Sequence, residues 1–239
     1  MERKNDPLFQ VKSWSDLTKE EKQIIRDSWD HTLPPEEFSY FMEKLEYSDS
    51  DTVLNFTGNL YIGGYLSCHD CAIKGDLVVC GNINSYNINV EGNFIVGEDI
   101  CTGDDDIKVT GNFTVNGNLN GCGDINVDGS FIVHGNVDCY DINVCNEVTI
   151  DGNVKCAEFN ACENATIGGN VDCTWDVFTG TNLAVKGNIE CDDIDVFGNF
   201  EINGDLNCKD VMIQGNFAHG GKVKCDSLEV HCNIPEENN

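Results

Sequence analysis

The chain has 239 residues, of which 42 are Asp or Glu and 14 are Lys or Arg, for a net charge of -28. A surface so acidic repels phosphate backbones and anionic headgroups, which excludes nucleic acid and membrane surfaces as partner classes. Fourteen cysteines would suit a secreted disulfide scaffold. The opening Met1-Glu2-Arg3-Lys4-Asn5-Asp6 nevertheless has no apolar signal region behind it, and no stretch is long and apolar enough to span a bilayer. A reducing, cytoplasmic setting is expected.

Residues 1–50 differ from the rest: they hold half of the positive charge and have helical spacing. Ser15 is placed to cap a helix over Asp16–Arg26, and a second helix is expected from Pro35 to Leu45, with Glu36 and Glu37 in its favourable first turn. Trp14, Leu17, Ile24, Ile25, Trp29, Phe38, Phe41 and Leu45 would pack together or onto the body of the protein. This segment reads as a helical N-terminal cap or interaction segment, covering the exposed β end of that body.

From residue 51 to residue 234 the chain repeats every seventeen residues, with a few short slips; residues 235–239 form a tail. One clean copy is Asp124-Ile125-Asn126-Val127-Asp128-Gly129-Ser130-Phe131-Ile132-Val133-His134-Gly135-Asn136-Val137-Asp138-Cys139-Tyr140. It holds three apolar-x-apolar pairs separated by corners rich in Gly and Asn. A fixed period of this length marks a solenoid, whose coils bury their inside only by stacking. Alternation within each pair is the strand period, as in Phe131/Val133 on side one, Val137/Cys139 on side two and Ile142/Val144 on side three. The fold class is therefore mainly β: a triangular parallel β-helix of about ten turns. Where Ala161 and Ala165 replace larger inward residues, Phe159 replaces the usual Ile and should fill the space. Asn136, Asn153, Asn170 and Asn188 would stack their amides along one corner. The coil slips between Gly97 and Gly129, where Asp104-Asp105-Asp106 reads as a hydrated loop.

Cys139, Cys156, Cys173, Cys191, Cys208 and Cys225 recur at one inward position per turn, a structural cysteine ladder. Reduced cysteine is a small core residue. In-register neighbours about 4.8 Å apart suit neither a disulfide nor a tetrahedral zinc site. Cys68 and Cys71 point inward on different sides, while Cys145 and Cys162 face outward at a corner.

The outward positions of side one stay apolar or β-branched for eight turns, including Tyr61, Val78, Ile95 and Ile132, and suggest a protein contact surface. A second candidate surface is the aromatic cluster Trp175, Phe178, Phe197 and Met212 near the outside of side three. The five histidines form no catalytic constellation, and the coil divides as six, six and five residues rather than the equal sides of hexapeptide acyltransferases. No catalytic residue, cofactor or metal site is expected.

The Gly-Asn-Leu-x-Cys-x-Asp-Ile-x-Val-x-Gly-Asn-Phe-x-Val pattern resembles the bactofilins, polymer-forming bacterial cytoskeletal proteins, over roughly residues 54 to 234. The resemblance implies a right-handed coil and end-to-end assembly into filaments that act as scaffolds without nucleotide. A non-enzymatic scaffold, self-associating through its coil ends or its apolar side, is the leading reading. A protein-binding module using the N-terminal helices or the aromatic cluster comes second, and a thiol-based metal-binding protein third.

Overall fold

A computed structural model describes residues 11–28, 34–47 and 53–231. Three sheets of 12, 11 and 11 strands, parallel except for the first pair of the 12-stranded sheet, make the sides of a triangular coil. On sides one and three the parallel pairing is in register: Phe94 lies beside Phe113 and Phe113 beside Phe131 on side one, while Ile107, Ile125 and Ile142 follow one another on side three. Inward residues of all three sides merge into one continuous apolar core. Like stacks on like inside it, and the Phe94 and Phe113 rings lie 4.9 Å apart and within 2° of parallel. Phe159, Ala161 and Ala165 are all buried, so the expected exchange of volume between neighbouring positions holds.

Corners are tied by side chains. At the corner before side two, Asn153 Oδ1 accepts the backbone N–H of Asn170 at 2.8 Å, and Asn136 Oδ1 accepts that of Asn153 at 2.8 Å. The same arrangement links Asn182, Asn199 and Asn216 before side one. Each such bond satisfies an amide the strands leave unpaired. Glycine precedes the asparagine because the rungs touch there: a Cβ on Gly135 would collide with the carbonyl oxygen of Gly117. The slips are absorbed at the corner after side two, where Gly103, Asp104 and Gly121 adopt positive φ and the register shifts between Asn120 and Cys122.

The N-terminal segment departs from expectation. The helix is α1 (Lys19–Ser28), preceded by a single 3-10 turn at Trp14–Asp16. Its start is fixed by Thr18, not Ser15: Thr18 Oγ1 accepts the N–H of Glu21 at 3.1 Å, and Glu21 Oε2 accepts the N–H of Thr18 at 2.7 Å. The expected second helix, Pro35 to Leu45, is a 3-10 turn at Pro35–Glu37 followed by two strands, β2 (Phe38–Phe41) and β3 (Leu45–Glu46). These pair in parallel with Asn59–Ile62 and Leu66–Ser67, so the coil begins at Phe38 and has eleven rungs. Pairing with the next rung outweighs the helix-start signal of Pro35, Glu36 and Glu37. Trp29 lies outside the described residues, and Ile24 is exposed.

The arm does not simply cover the end of the coil. A short strand, β1 (Lys12–Ser13), pairs antiparallel with β2 and closes the edge of side one. Helix α1 then lies against the outer face of the same side. Leu17, Ile25, Phe38, Tyr40 and Tyr61 form a small second core there, with Trp14, Val78 and Cys80 packed against it. The Lys22 ammonium and the Arg26 guanidinium sit 5.6 and 5.3 Å from the Trp14 ring centre, and Lys12 pairs with Glu21 at 2.8 Å.

Candidate interaction surfaces

The cysteine ladder is inward-facing as its spacing requires. Cys139, Cys156, Cys173, Cys191 and Cys208 are buried, and Cys225 in the last rung is half-buried. The Cys156 and Cys173 sulfurs approach to 3.2 Å as a thiol contact. The column runs further back than the cysteines alone reveal: Cys122 pairs with Cys139, and before it the same position is filled by Cys68, Ser85 and Thr102, all buried. Burial pushes the Cys122 thiol up to about 12. Cys156 is raised by its hydrogen bond with Cys173 and by burial, and Cys191 by its hydrogen bond with Cys208 and by burial. Thiols held protonated in this way are poor nucleophiles. Among the described residues no group of three or more His, Cys, Asp or Glu is placed to hold a metal ion.

The apolar strip on side one is partly spent inside the molecule. Tyr61 is only 3% exposed, because the arm covers it, and Val78 packs into the same cluster. These two positions are therefore not an open contact surface, which corrects the expectation for them. Ile95 and Ile132 lie beyond the arm and remain half-buried on the bare outer face.

The predicted aromatic cluster divides in two. Trp175 sits at the corner between sides two and three, edge-on to Tyr140 at 6.0 Å. Phe178 and Phe197 pack edge-on at 5.7 Å at the far edge of side three. Met212, 39% exposed, follows Phe178 two rungs later in the same outward column, with Asp195 between them. An open groove of about 610 Å³ runs over Phe178, Asp195 and Met212, with Asp176, Asp193 and Asp210 along its other edge. Burial raises the Asp195 carboxyl above its ordinary value, and burial together with the neighbouring Asp193 raises Asp176.

The two ends differ. At the last described rung Phe217–His219, Val223–Lys224 and Ser227–Val230 each have a strand neighbour on one side only. Phe217 stacks on Phe200 at 5.2 Å and stays half-buried, while Leu228 and Val230 are 43% and 37% exposed. At the other end β1 closes side one; β3 and β4 (Val53–Thr57) are the terminal strands of sides two and three.

A family model described as Bactofilin, polymer-forming cytoskeletal, matches residues 144–235, the C-terminal part of the coil. No curated protein and no solved structure matches the chain. The family match and the β-solenoid fold together support a structural scaffold. No helix among the described residues is long and apolar enough to cross a membrane.

Proposed function

We propose that this protein is a non-enzymatic scaffold element that self-associates through the C-terminal end of its coil. The observation that carries this reading is the last described rung. It presents strand edges on all three sides together with exposed Leu228 and Val230. Unpaired strand edges beside apolar side chains are a template for another chain. A second copy fits them, because its own edges have the same spacing. The match of the C-terminal rungs to a polymer-forming family supports the same end as the adhesive one. β1 closes side one at the opposite end, so growth there requires the arm to move. All thirteen described cysteines are unpaired, which suits a reducing compartment such as the cytoplasm.

Negative-stain electron microscopy with light scattering tests the proposal. The native chain should form dimers or longer assemblies. The double variant Leu228→Lys, Val230→Lys should remain monomeric with an unchanged β spectrum. A native chain that stays monomeric at every accessible concentration would remove self-association from the reading.

A further inference from the structure

We propose that the outer face of side three docks a partner segment that inserts an arginine or lysine between Phe178 and Met212, onto Asp195, with an apolar neighbour against Phe197. This surface is lateral, on the eighth to tenth rungs, and independent of assembly through the coil's end.

The column in which Asp195 stands shows what the fold itself requires. In earlier rungs it holds Asn126, Asn143 and Asn160, whose amides hydrogen-bond one to the next at 3.4 and 3.1 Å. Over those three rungs the ladder needs no outside help. The sequence abandons it for Phe178, Asp195 and Met212, in unbroken register. Asp195 Oδ1 is buried and has no hydrogen-bond partner, one of two such side-chain atoms among the described residues. A buried carboxylate oxygen without a partner is costly, and the coil supplies none. The Asp195 side chain as a whole is only partly buried and lines the groove, so its carboxylate can be approached from outside. The lost stabilisation is recovered when a cation reaches it.

The surroundings define the cation. Asp176, Asp193 and Asp210 form a file of carboxylates along one edge of the groove, so its field is negative along its length. Burial and then the neighbouring Asp193 raise the Asp176 carboxyl, while burial alone raises that of Asp195. Phe178 and Phe197 present ring surface, which favours a guanidinium or ammonium. Phe197 and Met212 are 46% and 39% exposed, large for apolar residues on so acidic a coil. A free polyamine would neutralise the carboxylates but leave those two uncovered. A basic segment with alternating apolar residues covers both.

The test uses the full chain and a fluorescein-labelled octapeptide alternating Arg and Leu, followed by anisotropy. Comparators are the same peptide with Ser in place of Leu, and spermidine as competitor. Asp195→Asn restores the residue type of the preceding rungs and should leave folding intact. It should weaken the Arg-Leu peptide by at least about tenfold. Met212→Ser should weaken it too. Glu190→Gln, the same loss of charge on side two, should change affinity by less than about twofold. Equal binding of the Arg-Ser peptide, or full displacement by spermidine at matched charge, would reduce the face to a general cation attractor and overturn the proposal. Equal losses from Asp195→Asn and Glu190→Gln would overturn it as well, as would no binding of the Arg-Leu peptide.

Discussion

Tyr40 and Tyr61 stand one rung apart on the outer face of side one, with ring centres 5.2 Å apart and planes tilted by 47°. Trp14 extends the contact, 5.8 Å from Tyr40, and the Tyr40 hydroxyl donates a 2.6 Å hydrogen bond to the Pro35 carbonyl. Through these rings the arm is joined to the coil by a cluster separate from the main core. Two cooperative units of unequal size are the expected result.

Truncating Tyr61 to Ala should therefore loosen the arm without melting the coil. The local cost is about 3 kcal/mol, typical of removing a buried aromatic ring. Hydrogen exchange in α1 should accelerate sharply while exchange in the central rungs is unchanged. Uniform acceleration through all rungs would show that arm and coil are one unit. A truncation meant to remove only the arm must stop before Phe38, since cutting near residue 50 would take the first rung's strands β2 and β3 as well.

Thiol labelling should separate the cysteines by position. Cys101, Cys145 and Cys162 are exposed and should react with a maleimide in the native state. The buried ladder from Cys122 to Cys208 should react only on unfolding, because its side chains face the closed core. Burial also keeps Cys122 and Cys139 protonated, and hydrogen bonds with Cys173 and Cys208 together with burial do the same for Cys156 and Cys191. Rapid native labelling of Cys156 or Cys173, read by mass spectrometry, would contradict the closed core.

At the corners, Asn153→Ala removes the acceptor for the Asn170 N–H and should cost about 1–2 kcal/mol. Gly135→Ala should cost more, because the new methyl meets the Gly117 carbonyl oxygen and the rungs must part. Urea unfolding of the two variants gives the order directly. An innocuous Gly135→Ala would mean that the corner has slack the packing does not show.

Acidity should stabilise the coil over part of the pH range. Burial raises the carboxyls of Asp124, Asp141, Asp176 and Asp195 above 3.8, and neighbouring carboxylates add to this at Asp124 and Asp176. A carboxyl whose folded value exceeds its unfolded one favours folding when protonated. Its contribution is fully present below the unfolded value and is lost as pH rises through the folded one. The urea midpoint of the coil should thus rise as pH is lowered from about 7 toward about 4. In the arm the sign is opposite: the Ser13 hydrogen bonds lower Asp16, and the Lys12 contact lowers Glu21. Those contributions are lost as pH falls through the folded values, so the arm should loosen at the acid end. A coil midpoint that falls over the same interval would refute the assignment.

Most of the coil was legible because each rung decides its own inward residues: Phe131/Val133 or Ile142/Val144 can be assigned from alternation alone. The first rung was not, since Phe38-Ser39-Tyr40-Phe41 follows Pro35, Glu36 and Glu37, good helix openers, and only pairing with Asn59–Ile62 makes it a strand. Ser85 and Thr102 hid the early ladder because the residue type changes while the position does not. The isolation of Asp195 was readable in principle from its column, but an acidic residue among many carries no mark of burial. Trp175 was misgrouped because it lies at a corner, where a neighbour in sequence turns onto a different side.

The register of the coil also makes it a ruler. Tyr61 under the arm and Phe178 at the acidic groove stand six rungs apart, roughly 30 Å at the usual strand spacing. Every rung returns to the same side, so removing one whole repeat between them would shorten that distance by about 4.8 Å while leaving each feature on its own side of the coil. The distance between attachments on this molecule is thus set in equal steps by the number of repeats, and the side each one occupies is kept.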